Sequence, residues 1–198
     1  EGDPAHRRTL QRRKAVRDGL ALLHELGAIT GTARDGAPGL TEVGRDIARI
    51  PVDIVNMYPD PFWQPIKGRE RKRLGNAVGL SQFGVNLTTL RPGTWSSQRH
   101  WHRNEDEFIF VLEGEIVLRE EHGEVILKAG DAAGWKANSG IGHCLINRGN
   151  KDAVYIEVGT RTVNDTVVYS DIDMRLERDK SGNRYLHKNG EPYPPRKA

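Results

Sequence analysis

The stretch His100-Trp101-His102-Arg103-Asn104-Glu105-Asp106-Glu107, with His143 further along the chain, carries the strongest signal for fold and function. Residues two apart on a β-strand point to the same face, so His100 and His102 are predicted to project together. The polar residues 103–106 are typical of a turn, which places Glu107 at the start of the next strand. Imidazole and carboxylate groups together suit Fe(II), Mn(II), Zn(II), Ni(II) or Co(II), and suit Ca(II) or Mg(II) poorly. The pattern therefore predicts a site for one divalent transition metal.

The chain around this stretch is a series of short apolar runs separated by glycine-containing turns. Predicted strands cover residues 83–87, 108–112, 115–119, 124–127, 144–146 and 154–158. No convincing helical pattern lies between them. Strands at this spacing predict a mainly β fold, either a sandwich or a barrel.

Composition narrows the class of protein. Of the 198 residues 36% are hydrophobic and 22 are glycine, and the formal charge of +3 does not by itself imply a nucleic-acid partner. The single cysteine, Cys144, excludes an internal disulfide framework and favours a cytoplasmic location. No apolar run approaches the roughly 20 residues of a membrane span, and the N-terminal residues lack the apolar core of a signal peptide. We expect a cytoplasmic protein without a membrane span.

Four segments differ in pattern. We predict a helical, basic N-terminal segment at residues 1–53 and an irregular, proline-interrupted arm at residues 54–77. The strands are predicted to form a barrel over residues 78–160. Residues 161–198 are expected to be a polar C-terminal tail that packs on the barrel.

The spacing of glycine, histidine and glutamate in the barrel segment resembles the two sequence motifs of the cupin superfamily. The first motif corresponds to Gly93, His100, His102, Glu107 and Gly114, and the second to Gly130, Gly140, His143 and Asn147. The spacer after Gly93 is one residue longer than usual, and Asn138 stands where the second motif usually has proline.

This resemblance implies a single-domain cupin over roughly residues 54–198, with its motifs in residues 78–160. It implies a double-stranded β-helix, also called a jelly roll, that follows the short helical segment. The metal would be held by His100, His102, Glu107 and His143. Frequent dimerisation is a further implication, so a homodimer is expected.

Residues near the predicted metal ligands invite further assignments. Residues that share the inward face predict a mostly apolar pocket with a few polar groups. Gln98 is the candidate catalytic residue because it could orient a metal-bound ligand. The alternative for Gln98 is a core amide that bonds to the backbone. Cys144 follows His143 directly, so it is predicted to turn away from the metal as an inert buried thiol.

Two acidic residues compete with Glu107 for the role of carboxylate ligand. Glu105 and Asp106 precede it directly in the sequence. The six-residue spacing from Glu107 to Gly114 favours Glu107, because the cupin motif has this spacing.

A second resemblance concerns residues 15–53. Their phrases Leu22–Ile29 and Leu40–Arg45 are similar to the helical region that follows the motor core of DEAH-box RNA helicases. No phosphate-binding loop occurs in the sequence, which excludes helicase or ATPase activity. The basic residues before the first helix could bind phosphates, but a solvated helix face is the favoured interpretation, and we do not expect a nucleic-acid partner.

Three functions fit these observations. The first is a metal-dependent enzyme acting on a small organic molecule, with an Fe(II)-type dioxygenase as the leading hypothesis. Its close rival is a metal-dependent isomerase, epimerase or decarboxylase, in which the metal polarises a carbonyl or carboxylate. The remaining alternatives are a ligand-sensing barrel and a metal-binding barrel without turnover.

Overall fold

The computed structural model of this chain describes residues 29–30, 39–40, 49–54 and 58–194. The chain divides into two units, Glu1–Pro51 and Val52–Ala198. In the first unit, β1 (Ile29–Thr30) pairs with β2 (Gly39–Leu40) in antiparallel fashion. Most of the segment predicted as helical, residues 1–53, lies outside the described residues. Within the described part of the chain, no helix has the length and apolar character needed to cross a membrane.

The second unit is built almost entirely of strands. They are β3 (Arg69–Lys72), β4 (Phe83–Leu90), β5 (His100–His102), β6 (Glu107–Glu113), β7 (Glu115–Glu120), β8 (Gly123–Lys128), β9 (Ala132–Trp135), β10 (Cys144–Ile146), β11 (Ala153–Thr160), β12 (Asp165–Tyr169), β13 (Arg175–Asp179) and β14 (Gly182–Leu186). A 3-10 helix (Gln64–Ile66) and a short helix α1 (Leu74–Ala77) flank β3.

These strands form one large sheet and two smaller ones, all paired in antiparallel fashion. The five-stranded sheet has the order β3-β4-β11-β6-β9. The smaller sheets have the orders β10-β7-β8 and β14-β13-β12-β5. The last two are joined where His100 and His143 exchange backbone hydrogen bonds of 3.1 and 2.9 Å. The result is two opposed layers of strands, and the prediction of a mainly β fold is confirmed.

The main core lies between the five-stranded sheet and β7. On β6 the side chains of Ile109 and Val111 are buried, whereas Phe108 and Leu112 on the other face are 45% and 46% exposed. This period of two is the pattern of a strand with one buried face. Each fully buried aliphatic side chain stabilises the fold by roughly 1.5–3 kcal/mol. Because Glu107 is one step further along the buried face, the same alternation turns its carboxylate inward.

The segments before and after the predicted barrel both contribute strands. The segment predicted as an arm, residues 54–77, contains β3, which pairs with β4. The segment predicted as a polar tail, residues 161–198, contains β12, β13 and β14, and β12 pairs directly with β5. All five residues of β13 are partly buried although four of them are charged. Such charged strands lack the apolar alternation that marks a strand in a sequence.

Candidate metal centre

Three histidines and one glutamate converge in the space between the two layers. β5 is only three residues long and carries His100 and His102 at its ends, so both side chains leave the same face. His143 lies just before β10 and is the bridge partner of His100. Glu107 begins β6, where its register partners are Trp135 on β9 and Gly159 on β11. Gly159 has no side chain, which leaves the space beside Glu107 open.

Ring nitrogens of all three histidines surround one carboxylate oxygen. Oε2 of Glu107 is 3.0 Å from Nε2 of His143, 3.6 Å from Nε2 of His102 and 3.8 Å from Nε2 of His100. This oxygen is buried and has no hydrogen-bond partner of suitable geometry. Ligands bound at 2.0–2.2 Å to one ion lie about 3 Å apart when they are neighbours. His100, His102 and Glu107 bring ligand atoms within 4.8 Å of one another and could hold a transition-metal ion, and His143 lies beside the same unsatisfied oxygen.

The other nitrogen of each ring is occupied by an acceptor. Nδ1 of His102 is 2.6 Å from Oδ2 of Asp165, Nδ1 of His100 is 2.9 Å from the Gln98 carbonyl oxygen, and Nδ1 of His143 is 3.4 Å from the Ile141 carbonyl oxygen. Carbonyl and ionised carboxylate oxygens only accept hydrogen bonds, so each Nδ1 carries the proton. Each Nε2 is then left with a lone pair aimed at the cluster, as metal coordination requires.

Burial and neighbouring charge set the protonation of the cluster. Burial lowers the pKa of His100 to about 3, so its imidazole is neutral at pH 7. Burial alone would lower the pKa of His102, but the hydrogen bond to Asp165 and the charges of the neighbouring carboxylates together outweigh it, so the pKa is raised. Burial alone would raise the pKa of Glu107, but the close contact with the His143 ring and the two other imidazoles lower it well below its usual range. An ionised carboxylate beside a neutral imidazole is the state that binds a metal cation.

The two rival carboxylates have other roles. Glu105 is buried, and its Oε1 accepts a hydrogen bond of 2.7 Å from the Thr162 backbone N–H and pairs with Arg178. Asp106 is exposed and accepts from the Ala137 backbone N–H at 2.7 Å. Of the three neighbouring acidic residues, Glu107 therefore supplies the oxygen that meets the histidine Nε2 atoms.

Asp165 is a site residue that the sequence analysis missed. It begins β12, is 3% exposed, and accepts hydrogen bonds from His102 Nδ1 and from the Asn104 backbone N–H at 2.9 Å. The signal in the sequence is the alternation of Asp165, Val167 and Tyr169, all buried on β12. This pattern marks one buried strand face, but Asp165 is 63 positions from His102 and only strand pairing brings them together.

Replacing Asp165 with asparagine is expected to weaken metal binding about 10- to 100-fold, the usual effect of removing a carboxylate behind a ligating histidine. The amide keeps the size of the side chain but loses the negative charge. That charge strengthens the ability of His102 Nε2 to donate its lone pair to a metal. Competition with a chromogenic chelator measures the change. Asp179→Asn is the matched control, because Asp179 pairs with Arg184 on the surface. Equal affinities in both variants would remove Asp165 from the site.

The cluster opens into a cavity of about 360 Å³ with strongly polar walls. Arginines from several elements line it: Arg69, Arg71, Arg73, Arg161 and Arg178. The prediction of a mostly apolar pocket is therefore wrong, because β3 and β13 bring charged side chains to its walls. The cavity also holds Glu157 of β11, a carboxylate outside the histidine cluster that the sequence did not single out.

Two further predictions concern residues next to the ligands. The Gln98 side chain donates a hydrogen bond of 2.6 Å to the Phe62 carbonyl oxygen and is not among the side chains that line the cavity. This contact matches the alternative of a core amide bonded to the backbone, rather than a side chain that orients a metal-bound ligand.

Cys144 is fully buried, and burial raises the pKa of its thiol to about 12. The prediction that Cys144 is a buried thiol is thus confirmed.

Comparison with known proteins connects this geometry to a family. A sequence profile described as a cupin domain matches residues 86–159. The crystal structure of a Silicibacter pomeroyi DSS-3 protein, described as a sugar phosphate isomerase from a cupin superfamily, is 43% identical in sequence, with a TM-score of 0.72. The match covers 73% of this chain and 92% of that one. A protein from Acidithiobacillus ferrooxidans ATCC 23270, provisionally assigned as a sugar phosphate isomerase, is 30% identical with a TM-score of 0.58, over 61% and 77% of the two chains.

No curated protein matched the sequence. The matches to solved structures support the predicted jelly-roll fold. None of these comparisons supports the resemblance of residues 15–53 to DEAH-box helicases.

Proposed function

Because this chain belongs to the cupin superfamily, we propose that it is a metal-dependent isomerase that acts on a phosphorylated sugar. One observation carries the proposal: a cluster suited to a metal and a separate carboxylate, Glu157, face the same polar cavity. The similarity to the sugar phosphate isomerase of Silicibacter pomeroyi supports the choice of reaction and substrate class.

Isomerisation of a sugar moves a hydrogen between neighbouring carbons, next to a carbonyl group. The metal, when bound, supplies Lewis-acid polarisation of that carbonyl. A positioned base must then remove the proton from one carbon and return it to the other. The protein has to provide this base at a distance from the metal ligands.

Glu157 meets these requirements. On β11 it lies opposite Ile109, two residues from the Gly159–Glu107 pair, and such diagonal neighbours are about 7–8 Å apart. Its carboxylate accepts a hydrogen bond of 2.8 Å from Asn86 and pairs with Arg71 at 2.9 Å. These donors orient the group. Glu105 also lines the cavity but is more deeply buried than Glu157, which leaves it less accessible to a substrate.

The test is an assay of interconversion between aldose and ketose phosphates in D2O, followed by proton NMR, with the protein loaded with Fe(II), Mn(II), Zn(II), Ni(II) or Co(II) in turn. We expect metal-dependent interconversion with solvent deuterium at the reacting carbon, because the proton removed by Glu157 exchanges with water. Absence of interconversion with every metal and every sugar phosphate would contradict the proposal.

A second candidate function is an Fe(II) dioxygenase, which the donor set of three imidazoles and one carboxylate also suits. Oxygen uptake by the anaerobically prepared iron form, in the presence of catechols, flavonols, thiols or diketones, would favour it. The charged walls of the cavity favour the isomerase, because such aromatic or apolar substrates leave arginines unpaired. The expected homodimer stays a prediction.

A further inference from the structure

The wall of the cavity formed by β3 carries two arginines at a spacing of two. Arg69 and Arg71 therefore leave the same face of the strand, and both line the cavity that contains the histidine cluster. Arg71 is the register partner of Thr88 on β4, and Thr88 is the partner of Tyr155 on β11. This row of side chains crosses three strands of the five-stranded sheet on its inner face.

Among the described residues, Arg69 and Arg161 are the arginines of the cavity that have no carboxylate partner. Arg71 pairs with Glu157, Arg73 with Asp53 and Arg178 with Glu105. Arg161 is held by Asn76 and by the Leu80 carbonyl oxygen at 3.0 Å.

The Arg69 side chain donates one hydrogen bond, from Nη1 to the Ser96 carbonyl oxygen at 2.5 Å. The side chain is partly buried and lines the cavity, and a guanidinium group has further N–H donors beyond the one that bonds Ser96. Burial, together with the charge of Arg71, lowers the pKa of Arg69. A negative charge at this point would relieve that penalty.

The surroundings of the pair are rich in donors and poor in acceptors. Nε of Arg71 is buried without a hydrogen-bond partner in the described part of the chain, and the buried hydroxyl of Tyr155 lies beside that of Thr88. Each unsatisfied buried donor costs roughly 1–3 kcal/mol. An oxyanion with several acceptor oxygens would satisfy these donors together, and guanidinium groups bind phosphate through paired hydrogen bonds.

The register places this donor-rich wall in line with the proposed reaction centre. Along β11, Gly159 faces Glu107, Glu157 follows, and Tyr155 comes next beside the Arg71 row. Successive inward residues are about 7 Å apart along a strand. A small linear ligand lying along β11 would thus pass from the histidine cluster, past Glu157, to the two arginines. The cavity volume of about 360 Å³ is within the range of small-molecule sites.

We propose that Arg69 and Arg71 form the subsite for the phosphate group of the substrate, at the end of the cavity away from the histidine cluster. This inference rests on the proposed function for the identity of the ligand. It adds the residues that hold the phosphate and the direction in which the substrate lies.

The test measures binding of inorganic phosphate by isothermal titration calorimetry at low ionic strength, on full-length protein with and without its metal. Arg69→Gln keeps the length of the side chain but removes the charge, and we expect at least tenfold weaker phosphate binding. Arg148→Gln is the matched control, since Arg148 pairs with Glu124 on the surface, and its affinity is expected to equal that of the wild type. Chelator-treated protein is expected to retain the Arg69-dependent binding, because the subsite is separate from the metal.

Unchanged phosphate affinity in Arg69→Gln, or binding that disappears with the metal, would overturn the subsite. Arg69→Lys provides a second variant that retains the positive charge but lacks the paired N–H donors of a guanidinium group. We expect an intermediate loss of phosphate affinity. Because phosphate binding is measured without turnover, it can succeed even if no isomerisation is found. Conversely, if the protein isomerises a sugar phosphate and Arg69→Gln has an unchanged KM, the subsite is refuted and the proposed function is still supported.

Discussion

Replacing His102 with alanine is expected to reduce bound metal to less than about a tenth of the wild-type content and to reduce turnover at least about 1000-fold. The effect is large because losing a metal ligand weakens binding more than the 10- to 100-fold effect of losing the carboxylate that supports it. The imidazole has two roles. Its Nε2 lies 3.6 Å from Glu107 Oε2, and its Nδ1 binds Asp165 at 2.6 Å. Removing the ring deletes one ligand and also leaves the buried Asp165 carboxylate without its main partner.

Elemental analysis of anaerobically purified protein measures the metal content directly. His187→Ala is the matched control, because His187 also bonds to a carboxylate, Asp173 Oδ2, at 2.8 Å, but outside the cluster. His102→Gln serves as the second variant, since its amide can still donate to Asp165 and so limits the loss of stability. A His102 variant that folds and retains near-stoichiometric metal would refute the ligand assignment.

Replacing Glu157 with glutamine is expected to lower kcat about 100- to 10,000-fold, the usual contribution of a positioned acid–base group. The amide preserves the volume of the side chain but cannot accept a proton from carbon. Metal content is expected to stay at the wild-type level, because Glu157 contacts Arg71 and Asn86 rather than the histidines. Loss of activity with intact metal binding separates this variant from His102→Ala.

Solvent deuterium incorporation gives an independent measurement of the same role. We expect the rate of deuterium incorporation into the product by Glu157→Gln to fall by the same factor as kcat. Glu124→Gln is the matched control, since Glu124 forms a comparable ion pair with Arg148 on the surface. Wild-type kcat in Glu157→Gln, with exchange unaffected, would assign proton transfer to another group.

Much of the candidate site could be predicted because its signals are local. His100 and His102 are two residues apart on one strand, and Glu107 begins the next, so a period of two was sufficient to place all three on inward faces. The same alternation correctly separated His143 from Cys144, which is fully buried away from the Nε2 cluster. The mainly β fold followed from short apolar runs divided by turns.

Other parts of the site depend on pairing between distant strands. Asp165 reaches His102 only because β12 pairs with β5, and Arg71 meets Tyr155 only because β4 lies between β3 and β11. Charged strands such as β3 and β13 give no apolar alternation, so their entry into the cavity wall could not be predicted. Gln98 had two possible environments, and its contact with the Phe62 carbonyl oxygen depends on a segment 36 residues away.

By itself, the amino-acid sequence determined the strand-rich fold and the donor types of the candidate metal site, because both depend on spacings of a few residues. The tertiary structure alone decided which carboxylate supports His102, which one faces the cavity and which guanidinium groups in its wall have no acid beside them. These contacts depend on the register between strands that are far apart in sequence, such as the strands of Arg71 and Glu157, which are 86 positions apart. Register is set by the packing of the whole barrel.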